Sequence, residues 1–130
     1  MAVQELLHNG LARRIKHQRT LQLVESVDTL HDMRFGEALG HAMRELIQAR
    51  YPEHGILGEE QGVAVGTSPL TWVLDPIDGT RAFITGLPLW GTLIALNDGV
   101  RPVVGVMNQP FTGERFVGTP QGAWSSGTPL

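Results

Sequence analysis

The stretch Trp72-Val73-Leu74-Asp75-Pro76-Ile77-Asp78-Gly79-Thr80 decides how this chain is read. Thr71 and the three apolar residues after it include good β-formers, and predict a short strand over 71–74 that delivers Asp75 at its C-terminal end. Pro76 has no N–H to pair and a fixed φ, so the strand is expected not to continue normally. Asp78 follows one turn later, and Gly79 permits a tight backbone path into Thr80. Two carboxylates are thereby brought close together at a strand-to-turn junction, with the Ile77 carbonyl between them and free to point the same way. Taken alone, Asp-Pro and Asp-Gly are also common turn dipeptides.

A second acidic cluster changes that balance. Gly55-Ile56-Leu57-Gly58 reads as another short strand, leading into Glu59-Glu60, and 61–69 reads as a loop. Two acidic clusters, each at the end of an apolar strand, exceed what turn chemistry needs. Such groups repel, and a protein relieves the repulsion with a proton or a cation. Hard oxygen donors favour Mg²⁺ or Mn²⁺ over zinc. The N–H groups of Gly79 and Thr80, with the Thr80 hydroxyl, are suited to face an anion, and a short helix over 80–84 would help hold a phosphate at its N-terminus. A dianionic phosphate beside four acidic side chains requires cations between them. The pieces point to metal-assisted hydrolysis of a phosphate monoester.

Downstream the sequence reads as sheet. Strands are expected over 90–96 and 101–107, joined at Asn97-Asp98-Gly99, a strong hairpin signal, with a third over 114–117. Upstream, residues 5–24 and 37–50 have helical periodicity, the latter with Leu39, Met43, Leu46 and Ile47 on one stripe and Pro52 just past its end. Helices first and antiparallel strands later give an α+β class, helices packed on an antiparallel sheet. The 130 residues are expected to form a single domain, and 118–130, rich in Gly, Ser, Thr and Pro, to be a loose tail.

With 42% apolar and 18% charged residues the chain is an ordinary globular one, not a disordered one. It has no cysteine, which rules out disulfides and thiolate metal sites. Arg13, Arg14, Lys16 and Arg19 alternate with Leu7, Leu11 and Ile15 in the manner of a solvated helix face, so a nucleic-acid partner is not expected. No apolar run approaches the roughly 20 residues of a membrane span, so no membrane partner is expected either. The five histidines do not pair at ligand spacing within the motif region, and are expected at the surface or in caps.

The segments Gly58-Glu59-Glu60 and Trp72 to Thr80, with the continuation Arg81 to Leu96, resemble the inositol monophosphatase family, and within it the bacterial histidinol-phosphate phosphatases most. The resemblance runs from about residue 43 to 124. It implies that Glu59, Asp75 and Asp78 bind Mg²⁺ through their carboxylates and Ile77 through its carbonyl, with Glu60 at the rim. It further implies that Asp78, Gly79 and Thr80 meet the substrate, a small phosphate monoester: histidinol phosphate, or an inositol monophosphate. A cytoplasmic enzyme that forms a homodimer, as family members often do, is the corresponding expectation.

Two departures from the family pattern stand out. The chain resembles an N-terminal portion of proteins about twice as long, whose second half supplies another metal-binding Asp and most of the pocket for the organic group. The family's Thr-x-Ala-Asp, which helps activate the water, corresponds to Thr29-Leu30-His31-Asp32, but the preceding lysine is missing and the distance to Glu59 is about four residues longer than expected. Thr29 and Asp32 are candidate catalytic residues; they equally suit capping of the following helix. The alternative to an active phosphatase is an inactive family member that binds a cation and self-associates through an exposed sheet edge.

Overall fold

In a computed structural model, which describes residues 34–59 and 61–130, one long helix precedes a continuous sheet. The elements are α1 (Arg34–Arg50), β1 (Gly55–Gly58), β2 (Gly62–Ala64), β3 (Thr71–Asp78), α2 (Thr80–Ile84), β4 (Gly91–Asn97), β5 (Pro102–Gln109), β6 (Glu114–Thr119), β7 (Gly122–Ser125) and β8 (Thr128–Pro129). The eight strands are ordered β2-β1-β3-β4-β5-β6-β7-β8. Every pairing is antiparallel except β1 with β3, which is parallel. The α+β architecture expected from the sequence is present. The expected helix over 5–24 lies outside the described residues.

Alternation along the central strands builds the core. Trp72 and Leu74 of β3, Ile94 and Leu96 of β4, and Val104 and Val106 of β5 are buried. Their register places Trp72 beside Leu96 and Leu96 beside Val104, and Leu74 beside Ile94 and Ile94 beside Val106, so all six share one face. Helix α1 lies on that face. Met43 and Ile47, one helical turn apart, are 0% exposed, while Leu39 and Leu46 of the same stripe are half-buried. Close approach depends on Gly40, where a Cβ would stand 3.2 Å from Pro76 Cγ.

The opposite face follows the same registers one residue along. One row runs Val73, Ala95, Gly105, Gly118 and Ala123; the next runs Asp75, Leu93, Met107, Phe116 and Ser125. All of these except Ser125 line a concave cavity of about 650 Å³.

Four local expectations need correcting. The segment 61–69 is not all loop: after Gly62, whose φ of 65° turns the chain, Val63 and Ala64 pair back onto β1. Strand β3 does not end before Pro76. It continues to Asp78 through a register irregularity between Asp75 and Asp78, where the missing N–H of Pro76 costs no ladder bond. There the Thr92 hydroxyl donates to the Pro76 carbonyl at 2.9 Å, so the kinked backbone keeps a partner. The composition of 118–130 predicts a loose tail, yet β6 runs on to Thr119 and β7 and β8 complete the sheet. Finally, His54 is neither a surface nor a capping residue. It accepts a hydrogen bond at Nδ1 from the Trp72 indole at 3.0 Å and stacks on Tyr51 with centroids 4.9 Å apart. Its Nε2 faces the Glu53 carboxylate at 3.6 Å.

Candidate active site

Parallel pairing of two short strands brings the acidic clusters together. Gly58 at the end of β1 lies beside Leu74 of β3, so the next residues along, Glu59 and Asp75, leave the ladder side by side. The Glu59 N–H donates to the Leu74 carbonyl at 3.3 Å, extending the pairing one step. Arg44 of α1 steadies this end: its guanidinium donates to the Gly62 carbonyl. It also fills the space over Gly58, where a Cβ would meet Arg44 Nη2 at 2.7 Å. Gln61 donates to the Glu37 carbonyl at 2.9 Å. The sequence reading missed Arg44, Gln61 and Thr92, because each acts on a backbone carbonyl and such partners leave no motif.

Asp75 is the electrostatic centre of the site. Burial is the largest influence on its carboxyl, followed by the charge of Glu59, a hydrogen bond with Glu59 and the charge of Asp78; the Ile77 N–H acts in the opposite sense, favouring the ionised form. Together they push its pKa up to about 6 from 3.8. One oxygen, Asp75 Oδ1, is buried and has no hydrogen-bond partner. A buried carboxylate oxygen left in that state is costly unless something not made of protein satisfies it.

Beyond Asp75 the backbone turns sharply. Gly79 has a φ of 87° and precedes α2, which covers the 80–84 stretch expected to be helical. A Cβ on Gly79 would meet the Leu89 carbonyl oxygen at 2.8 Å, so glycine is required twice over, by conformation and by space. The N-terminus of α2 has no side-chain cap. The Thr80 hydroxyl, expected to face an anion, instead donates to the Ile77 carbonyl at 3.1 Å. That carbonyl retains a second lone pair. Asp78, Gly79 and Thr80 are exposed, as is Glu59, while the Ile77 side chain is anchored in the core.

Glu59 and Asp75 are thus brought into contact, and Asp78 acts on Asp75 through its charge. Among the described residues no group of three or more His, Cys, Asp or Glu side chains is gathered as a metal cage. Glu60, Thr29 and Asp32 lie outside the described residues. The donors at hand are all oxygens: a carboxylate pair, a third carboxylate nearby, a carbonyl with a lone pair to spare and the partnerless Asp75 Oδ1. That chemistry fits a hard divalent cation. Among the described residues no helix is long and apolar enough to cross a membrane.

Comparison with known proteins identifies relatives by sequence and by fold. A family profile, "Inositol monophosphatase family", matches residues 2–130. The chain is 47% identical over 79 residues to the chloroplastic bifunctional phosphatase IMPL2 of Arabidopsis thaliana, covering 59% of this chain and 23% of that protein. It is 43% identical over 98 residues to the histidinol-phosphatase of Streptomyces coelicolor, covering 69% of this chain and 36% of that one. The solved structure of inositol monophosphatase-II from Staphylococcus aureus superposes with a TM-score of 0.85 at 26% identity, over 100% of this chain and 50% of that one. The chain thus spans half or less of the length of these relatives, in the part that carries the two acidic strand ends. It belongs to the inositol monophosphatase family.

Proposed function

We propose that the chain carries the metal-holding and phosphate-holding part of a Mg²⁺-dependent phosphomonoesterase site, with histidinol phosphate the leading substrate and inositol monophosphate the runner-up. The observation that supports this reading most is Asp75: a buried, partnerless oxygen on a carboxyl that burial and Glu59 have pushed to about 6. Neighbouring acids held in that condition are raised in energy until a cation replaces the proton. Glu59, Asp75 and Asp78 would hold Mg²⁺, with the Ile77 carbonyl as a further donor. Bound there, the ion supplies positive charge against the phosphate and lowers the pKa of a water.

The chain's own residues do the rest. The sharp turn at Gly79 sets its N–H and that of Thr80 for the phosphate, so phosphate holding falls to backbone donors. The Thr80 hydroxyl locks the turn instead of reaching out. Arg44 and Thr92 fix the backbone on either side of the acidic pair, and such positioning is worth several kcal/mol of barrier in well-ordered sites, on the order of 7–11 at most. Thr29 and Asp32 are proposed to activate the water. The substrate preference rests on the names of the relatives, histidinol-phosphatase in one and inositol monophosphatase in another. A cytoplasmic location accompanies this reading.

A panel of phosphate monoesters, assayed on the purified chain with Mg²⁺ and again with EDTA, tests it. The expected result is phosphate release that needs Mg²⁺ and is fastest on histidinol phosphate. Release at full rate in EDTA would contradict it. A second reading is a chain that binds a cation without turning over an ester. It predicts heat of Mg²⁺ binding in a calorimeter and no turnover of any ester.

A further inference from the structure

We propose that Arg44 is a positioning residue for the cation seat and that, without touching the ion, it sets the preference for Mg²⁺ over Ca²⁺. The inference rests on the reading of Glu59 and Asp75 as ligands, and adds what makes their spacing selective. Glu37, Gly40 and Arg44 lie on one stripe of α1, and that stripe reaches the ends of both acid-bearing strands. Gly40 stands so close to Pro76, the residue after Asp75, that a Cβ would be 3.2 Å from its Cγ. Arg44 covers Gly58, the residue before Glu59: a Cβ there would be 2.7 Å from Nη2 and 3.5 Å from both Cζ and Nε. The same Nη2 donates to the Gly62 carbonyl on the far side of the turn. In the other direction, Gln61 Nε2 donates to the Glu37 carbonyl at 2.9 Å. The helix itself is anchored in the core by Met43 and Ile47.

The sheet alone holds Glu59 weakly. The parallel register of β1 with β3 ends at Gly58 and Leu74. The bond that follows it, from the Glu59 N–H to the Leu74 carbonyl, is 3.3 Å long, just beyond the ordinary range. Strand β2, on the other side of the turn, is an edge strand of three residues. The place of Glu59 beside Asp75 therefore depends on the grip of Arg44 on both sides of the turn.

A fixed spacing discriminates between ions of equal charge. Mg²⁺ demands oxygens at about 2.0–2.1 Å in near-octahedral geometry, whereas Ca²⁺ takes them at about 2.3–2.6 Å and tolerates irregular geometry. The Glu59 and Asp75 carboxyls are within hydrogen-bonding contact, and a frame that keeps them close suits the shorter distances. With the grip released, Glu59 can move outward to the longer ones. The charge of Arg44 acts differently. A guanidinium beside acids repels any dication, so losing the charge alone would strengthen Mg²⁺ and Ca²⁺ binding alike and leave their ratio unchanged.

Calorimetric titration of the full chain with Mg²⁺ and, separately, with Ca²⁺ at pH 7 tests the proposal through the ratio of the two dissociation constants, Ca²⁺ over Mg²⁺. Arg44→Met removes both the hydrogen-bonding fork and the charge. Gly58→Ala keeps every charge and displaces the guanidinium, at a position whose φ is not left-handed. The ratio is expected to fall by about fivefold or more in both variants, because the site loses rigidity in each. Both positions are half-buried, and near-UV circular dichroism from buried Trp72 reports that each variant is folded. A ratio that keeps its wild-type value in either variant, with both ions bound more tightly or more weakly alike, would overturn the proposal while leaving the cation seat intact. A wild-type chain that binds neither ion would overturn it together with the reading on which it rests.

Discussion

Two turns in this molecule share a vocabulary and differ in physical state. The hairpin at Asn97-Asp98-Gly99 and the junction at Asp75-Pro76-Ile77-Asp78-Gly79 both join Asp to Gly with a left-handed glycine, φ 95° at Gly99 and 87° at Gly79. In the hairpin one side-chain oxygen of each of Asn97 and Asp98 takes up backbone N–H groups. Asp98 Oδ1 takes the N–H groups of Val100 and Arg101, both at 2.9 Å, and Asn97 Oδ1 takes that of Gly99 at 2.7 Å. Those donors hold the Asp98 carboxyl below its ordinary range. At the junction the sense is reversed: Asp75 is pushed up, and its Oδ1 has no partner. The hairpin aspartate is satisfied by its own backbone; the junction aspartate is left wanting. The difference cannot be read from the dipeptides themselves.

The largest effect that would break this comparison concerns turnover. Asp78→Asn removes one charge at constant size and should lower any Mg²⁺-dependent phosphate release at least a hundredfold, in line with losses of about 10²–10³ for single electrostatic groups in active sites. Asp98→Asn should leave the rate unchanged. Steady-state assays of both variants under one set of conditions check this.

The glycines sharpen it next. Alanine at Gly99 meets little, the nearest atom being the Pro69 carbonyl oxygen at 3.8 Å, so the cost is the left-handed backbone alone, about 1–2 kcal/mol. Alanine at Gly79 adds a clash with the Leu89 carbonyl oxygen at 2.8 Å, and should cost about 3 kcal/mol once forced shifts of about 1–3 kcal/mol are included. Urea denaturation of the two variants measures the gap. Equal costs would mean that the chain around Leu89 yields freely.

A smaller effect lies in pH. Because the Asp75 pKa rises from 3.8 unfolded to about 6 folded, the folded state binds the extra proton. The stabilisation from this group is complete below pH 4 and disappears as pH rises through about 6. Asp98, pulled the other way, contributes stability that is lost on acidification. The Tm of the metal-free chain minus that of Asp75→Asn should therefore fall between pH 4 and pH 7. A difference that stays flat would mean that Asp75 titrates normally.

Much of the fold was legible because its signals are local. The apolar stripe of α1, the bounds of β1 and the Asn97 hairpin follow from periodicity and turn chemistry carried within a few residues. The errors share a cause: tertiary contacts override local rules. Pro76 fails to end β3 because a buried Thr92 hydroxyl donates to its carbonyl, and 118–130 forms strands joined by turns because β6 offers an edge to pair with. His54 is packed because the Trp72 indole needs an acceptor. At the site, the acidic residues stood out by their spacing after apolar runs. The parallel register that sets Glu59 beside Asp75 did not, nor did Arg44, whose partner is a carbonyl 18 positions away.

The central claim is that the Glu59–Asp75 pair is a cation seat, and titration calorimetry of the chain with Mg²⁺ at pH 7 tests it most directly. The account predicts saturable binding in the wild-type chain that is lost or greatly weakened in Asp75→Asn while Asp98→Asn binds normally. Identical isotherms for wild type and Asp75→Asn would contradict it.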